Sequence, residues 1–448
     1  MEAGPGEAVP GEHGGASPLS RRPAPLYKRL PRGPHRLGRR AVAQNQRVRI
    51  HGAMVQAVAD VGYEAVSIRL LIALAGVSRR SFYEQFTDKQ ECFLETFDLL
   101  VREQVRLSRA ACAHTSGGSE RKLAAALART AAIASGDRAA ASLVLVDAQA
   151  LGAPGVLRMR AAGAAWERLL RARLAGTALA PAPAGTSAAV TLGGLQGILA
   201  ARLHEPGPLP RDLLAEQLGW WALAPKAPVS GPLARRLARL LRQGSRRVAA
   251  TAGPRSAAGG TRELLLACAL RLAARHPVAV LSAAQIADEA GVPLESFFEL
   301  FADRDDCIAT ALERAGEELL SIAAPAAVAG EDWAGALRAT LGELLEHLAA
   351  HPLQTRALVV LAPCAGAESR RRALRVEREL AAALNAHVPD RAELAGEALV
   401  GAIYHLLRCH LADRRLAALP GAGEHLALFA LAPVLGAEQA ARVLLEGD

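Results

Sequence analysis

Ala75-Gly76-Val77-Ser78-Arg79-Arg80-Ser81-Phe82-Tyr83-Glu84-Gln85-Phe86-Thr87-Asp88-Lys89 returns later in the chain as Ala290-Gly291-Val292-Pro293-Leu294-Glu295-Ser296-Phe297-Phe298-Glu299-Leu300-Phe301-Ala302-Asp303-Arg304. The two stretches align without a gap, Gly76 on Gly291, Phe82 on Phe297, Asp88 on Asp303 and, just beyond, Cys92 on Cys307. They share the turn and apolar positions and differ at charged ones, so they read as one fold used twice with one use altered. Around the first copy, Gln46 to about Val61 carries Ile50, Ala53, Met54, Ala57 and Val58 on one helical stripe, which Gly62-Tyr63 ends. Ser67 caps a short second helix, and in the tight turn Ala75-Gly76-Val77 the glycine can take a backbone conformation costly for a residue with a Cβ. Ser78 caps a third helix of barely two turns, and Asp88 with Glu91 opens a long fourth. Three short helices, the last two joined by a glycine turn, make a helix-turn-helix head.

The chain has 448 residues, enough for three or four domains; 51% are hydrophobic, mostly Ala and Leu, and 4% aromatic. Apolar spacing of three and four through most of the length predicts an all-α fold. The net charge of +9 permits nucleic acid or an anionic surface without choosing between them. Cys92, Cys112, Cys268, Cys307, Cys364 and Cys409 lie far apart, with neither disulfide-framework nor zinc spacing, as expected for small core residues in a reducing cytoplasm. No charged start precedes an apolar run at the N-terminus, so no signal peptide is expected. The longest uncharged stretch, Ala175 to Ala201, is rich in Gly and Pro and reads as a loop leading into a buried helix, not as a membrane span.

The expected order is a basic arm over 1–43, a helix-turn-helix domain over 44–97, a helical domain over 98–224, a linker over 225–260 around a basic helix Leu233 to Arg242, an altered head over 261–311 and a second helical domain over 312–448. The arm is rich in Pro, Gly and Arg and carries a net +5, a composition of flexible chain that grips phosphates. Further helices are expected at Arg138 to Ala150, Gly155 to Leu174, Ala188 to Leu203 and Arg211 to Leu223. Pro352 to Leu361, Glu368 to Leu384 and Leu394 to Leu411 echo members of that set in the second half.

From Val77 to Phe93, with Gln46-Arg47-x-x-Ile50 ahead of it, the sequence resembles the head of the tetracycline-repressor (TetR) family of bacterial transcription regulators. The resemblance implies two TetR-like halves, each a three-helix head with a larger helical domain that binds a ligand and dimerises through its last two helices. It implies DNA contacts at Arg47, at Ser67 and Arg69, at Ser78, Arg79, Arg80 and Ser81 on the third helix, and at Tyr83 and Lys89 on phosphates. Arg79 and Arg80 suit the major groove, where an arginine reads guanine. Ile72 departs from the small alanine usual in the family and bears on how the second and third helices cross. The implied partners are double-stranded DNA and an unidentified small-molecule effector, and repression is preferred to activation on the family alone.

The second head diverges at those positions. Ser78, Arg79, Arg80 and Tyr83 become Pro293, Leu294, Glu295 and Phe298; residues 46–93 carry a net +1 and residues 261–308 a net −4. Carboxylates facing phosphates repel, so this head is expected to keep the fold and lose DNA binding. Two geometries stay open: a pseudo-dimer of halves within one chain, or a homodimer presenting two first heads to half-sites. His347 with His351 and His405 with Cys409 have metal-compatible spacing but no identifiable third ligand, so neither metal nor cofactor is expected. Trp166, Trp220, Trp221 and Trp333 read as packing or a dimer seam, a ligand-pocket wall being the alternative. Gly193-Gly194-Leu195-Gln196-Gly197 is no dinucleotide fingerprint, no hydrolase, P-loop or zinc-protease pattern occurs, and an enzyme is not expected. The rival reading is a helical sensor or interaction module that no longer binds specific DNA.

Overall fold

The computed structural model describes residues 38–174, 184–227, 229–245, 260–275, 281–324, 332–365, 367–388 and 393–446. Among them there are twenty α-helices and no strand. The first head is α1 (Arg39–Ala65), α2 (Ile68–Ala75) and α3 (Arg79–Tyr83). Its body follows as α4 (Lys89–His114), α5 (Ser119–Gly136), α6 (Arg138–Leu145), α7 (Ala153–Leu174), α8 (Ala184–His204), α9 (Arg211–Leu223) and α10 (Gly231–Gly244). The second head is α11 (Thr261–Arg275), α12 (Ala283–Ala290) and α13 (Leu294–Leu300). Behind it come α14 (Arg304–Ala323), α15 (Trp333–Ala350), α16 (Pro352–Arg356), α17 (Ala367–Asn385), α18 (Glu393–Ala412), α19 (Gly423–Leu435) and α20 (Ala437–Glu446).

Three boundaries differ from the sequence reading. The first helix begins at Arg39, seven residues before Gln46, and is broken where Gly62 takes a φ of 74°. The remainder of the basic arm, residues 1–37, lies outside the described residues. The stretch read as a linker contains α10, whose Leu237, Leu240 and Leu241 are buried against α19 and α20 while its arginines face the other way. Its four- and three-residue leucine spacing is that of a docked amphipathic helix rather than a spacer. Pro352 to Leu361 is a short α-helix that passes into a π-helical turn over Ala357–Leu361, every residue of which is buried.

Helices α7, α8, α17 and α18 form the layer where the two halves meet, with α8 lying along α18. Their backbones touch at glycines. A Cβ on Gly401 would stand 2.4 Å from the Gly197 Cα, and one on Gly197 would stand 2.2 Å from the Glu397 carbonyl oxygen. Gly194 leaves room for the ring of Trp221, which is fully buried, donates to the Thr191 carbonyl at 3.2 Å and packs against Phe429 of the other half at 5.5 Å. That glycine run and that tryptophan therefore serve packing at the seam. Polar pairs cross it as well: His405 Nε2 to Glu167 Oε1 at 3.0 Å, Arg408 Nη2 to Gln196 Oε1 at 3.1 Å and Arg202 Nη2 to Glu397 Oε2 at 2.7 Å.

Among the described residues one helical stretch, Leu416–Leu435, is long and apolar enough to cross a membrane, but 72% of its most apolar window is buried inside the protein. There Arg338 pairs with the buried Glu424 at 2.9 Å and Phe429 has no exposed surface.

Gly401→Ala forces apart two backbones in contact and is expected to cost about 1–3 kcal/mol in urea unfolding. Gly342→Ala, in α15 with nothing within 4 Å of the added carbon, should instead stabilise by about 0.5–1 kcal/mol. Equal effects at the two sites would remove the seam glycines from this role.

Candidate nucleic-acid interface

The first head is set by caps and one left-handed glycine. Ser67 Oγ accepts from the Leu70 amide at 3.2 Å and Ser78 Oγ from the Ser81 amide at 3.0 Å, so each serine starts a helix. Between them Gly76 sits at φ 61° and ψ 40°, a region L side chains avoid, and its carbonyl accepts from Arg49 at 3.0 Å. Asp88 caps α4 through the Glu91 amide at 2.7 Å. Glu91 reaches back to the amide and hydroxyl of Thr87, and these hydrogen bonds hold its carboxyl below the usual range. Phe82 and Phe86, 5.6 Å apart, fill the core beneath α3. A buried chain joins α1 to α4: His51 Nδ1 lies 2.7 Å from Thr96 Oγ1, which donates to the Cys92 carbonyl at 2.7 Å. The threonine hydrogen is thus committed, and the imidazole is the donor to it. Burial, with help from Arg47 and Arg102, brings His51 down to about 4.

On this frame the candidate contact residues separate into two sets. Ser67, Arg69, Ser78, Arg79, Arg80 and Tyr83 are exposed along α2 and α3, and Ser81 is half-buried. The Arg79 guanidinium lies 5.7 Å over the Tyr83 ring, and Arg80 pairs with Glu84 at 2.9 Å in open solvent, a pairing easily exchanged. Arg47 and Lys89 are different. Arg47 is paired with Glu95 and lies 4.8 Å over the Phe86 ring. Lys89 donates to the carbonyls of Tyr63, Glu64 and Val66 at 3.0–3.2 Å and lies 4.7 Å over the Tyr63 ring. Lys89, read from the sequence as a phosphate contact, here ties α4 to the end of α1 through all three ammonium donors.

The second head supplies an internal control. Gly291 repeats the left-handed turn at φ 66° and ψ 32°, Ser282 caps α12, Asp303 caps α14, and Phe297 and Phe301 stand 5.6 Å apart. Arg262 lies 5.5 Å over Phe301, as Arg47 lies over Phe86, and Arg304 donates to the Leu281 carbonyl at 2.9 Å, as Lys89 does to its three. Interactions kept in both heads belong to the fold. What differs is the outward surface of the third helix: Leu294, Glu295 and Phe298 are exposed where the first head shows two arginines and a tyrosine.

Residues 53–96 match the family model described as bacterial regulatory proteins, tetR family. Over these residues the head is similar to the DNA-binding domain of that family. The match begins inside α1, takes in α2 and α3 and ends in the first turns of α4. No curated protein matches the chain.

Outside the tetR head, His405 and Cys409 acquire the third partner that spacing alone did not provide, Glu167 from α7, with the donor atoms of all three within 4.8 Å of one another. Arg160 and Arg171 already stand 3.7 Å and 3.4 Å from its carboxylate oxygens, where a divalent cation would be repelled. Burial works to raise Glu167, but the His405 hydrogen bond and the two arginine charges outweigh it and leave the carboxyl lowered; burial lowers His405. The trio is a neutral imidazole bound to a charge-balanced carboxylate across the seam. His347 and His351 stack at 4.3 Å, and His347 faces Glu318 at 3.6 Å.

Lys89→Met should weaken α1 and α4 in native-state hydrogen exchange by about 1–3 kcal/mol, whereas Arg79→Ala should stay within about 0.5 kcal/mol of wild type. The His51 pKa is lower folded than unfolded, so the unfolded chain takes up the proton first. Its contribution is full above about 6.5 and disappears as pH falls towards about 4. Across that window His51→Gln should show a pH dependence of stability shallower by about one proton per molecule.

Proposed function

We propose that this chain is a ligand-responsive transcriptional repressor that reads operator DNA through its first head alone. The observation that carries the proposal is the contrast between the heads: the same caps on the second and fourth helices, the same turn and the same aromatic core, with Arg79, Arg80 and Tyr83 outward in one and Leu294, Glu295 and Phe298 outward in the other. In this reading the protein is a tandem duplication of a whole tetR-type subunit, bacterial, cytoplasmic and working on the nucleoid, without catalytic activity. The seam of α8 and α18 supports pairing of the halves inside one chain as a pseudo-dimer. Arg69, Arg79, Arg80, Ser81 and Tyr83 meet the DNA, Ser67 and Ser78 hold the two helix starts beside it, and the basic arm adds affinity through phosphates.

Ligand response is supported by a cavity of about 560 Å3 between the halves, a size typical of small-molecule sites. One helix joins it to the reading head. Near its start, α17 carries Arg370, whose Nη2 pairs with Glu64 Oε1 of the first head at 2.9 Å, and further along it presents Leu374, Glu377 and Ala381 to the cavity. A ligand that displaces α17 acts on the head through that pair.

Genomic fragments captured by the full chain at near-physiological salt should share one asymmetric sequence, and Arg79→Ala with Arg80→Ala should weaken binding to it about tenfold to a hundredfold. A palindrome with half-sites one helical turn apart would replace the single-head reading with two chains. Capture without any shared sequence, fading as salt rises, would favour the sensor that no longer reads DNA.

A further inference from the structure

The cavity at the seam is walled largely by apolar groups, among them Leu145, Met159, Leu374, Ala381 and Val400. Set into that wall is an arginine. Arg408 of α18 is 6% exposed, and its one described hydrogen bond runs from Nη2 to Gln196 Oε1 at 3.1 Å. Among the described residues no carboxylate oxygen lies within 4.0 Å of its guanidinium. A guanidinium remains charged at any pH the fold survives, and a buried charge lacking a close counter-charge is costly. Glu377 of α17 is the carboxyl group whose charge reaches it, and that carboxyl is engaged with the Tyr404 hydroxyl. Burial raises Glu377 to about 7, against the opposing pull of Arg408, the Tyr404 hydrogen bond and Arg378, which weakens it as a counter-charge.

We infer that this cavity takes a small apolar molecule bearing a carboxylate, which completes the counter-charge and the hydrogen bonding of Arg408. The inference rests on the reading of the chain as ligand-responsive and names the ligand class. An arginine takes a carboxylate through two parallel hydrogen bonds, and here the guanidinium that would do so is itself buried in the wall. A protonated Glu377 beside it can donate to the same carboxylate, while an ionised one repels it. The other charged groups around the cavity do not favour a cation. Glu397 and Glu205 are both paired with Arg202, Arg378 adds a positive charge, and burial first, then Arg378 and Arg138, lowers His204 and leaves it neutral. An amine would have to lodge beside the Arg408 guanidinium, whose charge repels it.

The test is calorimetric titration of the purified full chain, without DNA, by 4-phenylbutyrate, 4-phenylbutanol and 4-phenylbutylamine. The acid is expected to bind roughly tenfold or more tighter than the alcohol, with the amine weakest. Its affinity should rise from about pH 8 to about pH 6 as Glu377 takes up its proton. Arg408→Gln, with its fold checked by circular dichroism, should bring the acid down to the alcohol's level. Glu377→Gln should give the acid, at about pH 8, the affinity that wild type reaches at about pH 6, and flatten the profile. A preference for the amine, equal binding of acid and alcohol, or no binding of the acid overturns the inference. Because no DNA is present, these outcomes are independent of whether the first head reads an operator.

Discussion

Two helices from opposite halves cross so closely that their backbones are in contact, and the rest of the structure is arranged around that crossing. Gly193 and Gly197 on α8 and Gly401 on α18 supply the only side chain short enough. Once the helices are that close, the neighbouring positions have little freedom. Glu167 must find His405, Gln196 must find Arg408 and Glu397 must find Arg202, because each is wholly or partly buried and a slide along the seam would strand it. Trp221 fills the space over Gly194 and carries the packing on to Phe429. Apolar contact holds the halves together, and the polar pairs fix how they are aligned.

The two heads show what a helix-turn-helix needs as a fold and what it adds in order to read DNA. Caps, a left-handed glycine, two phenylalanines and a cation tied to backbone carbonyls occur in both. Arg47 and Lys89 belong to that shared scaffold. Their charges are conspicuous in the sequence beside Arg79 and Arg80, yet they are consumed inside the head, by Glu95 and by three carbonyls. The outward residues of α3 and α13 lie off the shared core, and they differ between the heads, as does the cap of that helix, Ser78 in one and Pro293 in the other.

Helix α17 connects the cavity at the seam with the first head. It belongs to the half with the acidic head, lies along α18 at the seam, walls the cavity and meets the first head at Glu64. In this arrangement the second half supplies one wall of the cavity and one contact to the first head.

The sequence by itself determined the helical class, the heads and their caps, because these depend on contacts within a few residues. Ser67, Gly76, Ser78 and Asp88 act on amides three residues away or on their own dihedral angles, so spacing identifies them. It also carried the signal for α10, whose leucines repeat at helical spacing, although the flanking prolines and glycines pointed to a linker. The roles of Arg47, Lys89, Glu167 and Arg408 were decided only by the tertiary structure. A charged side chain meets water, a carbonyl or a ligand according to what the fold brings within about 3 Å, and for these four the partner lies on a helix distant in sequence or across the seam. The glycine run at Gly193 is the clearest case: its composition is plain in the chain, but its purpose exists only where Gly401, from the other half, comes to rest against it.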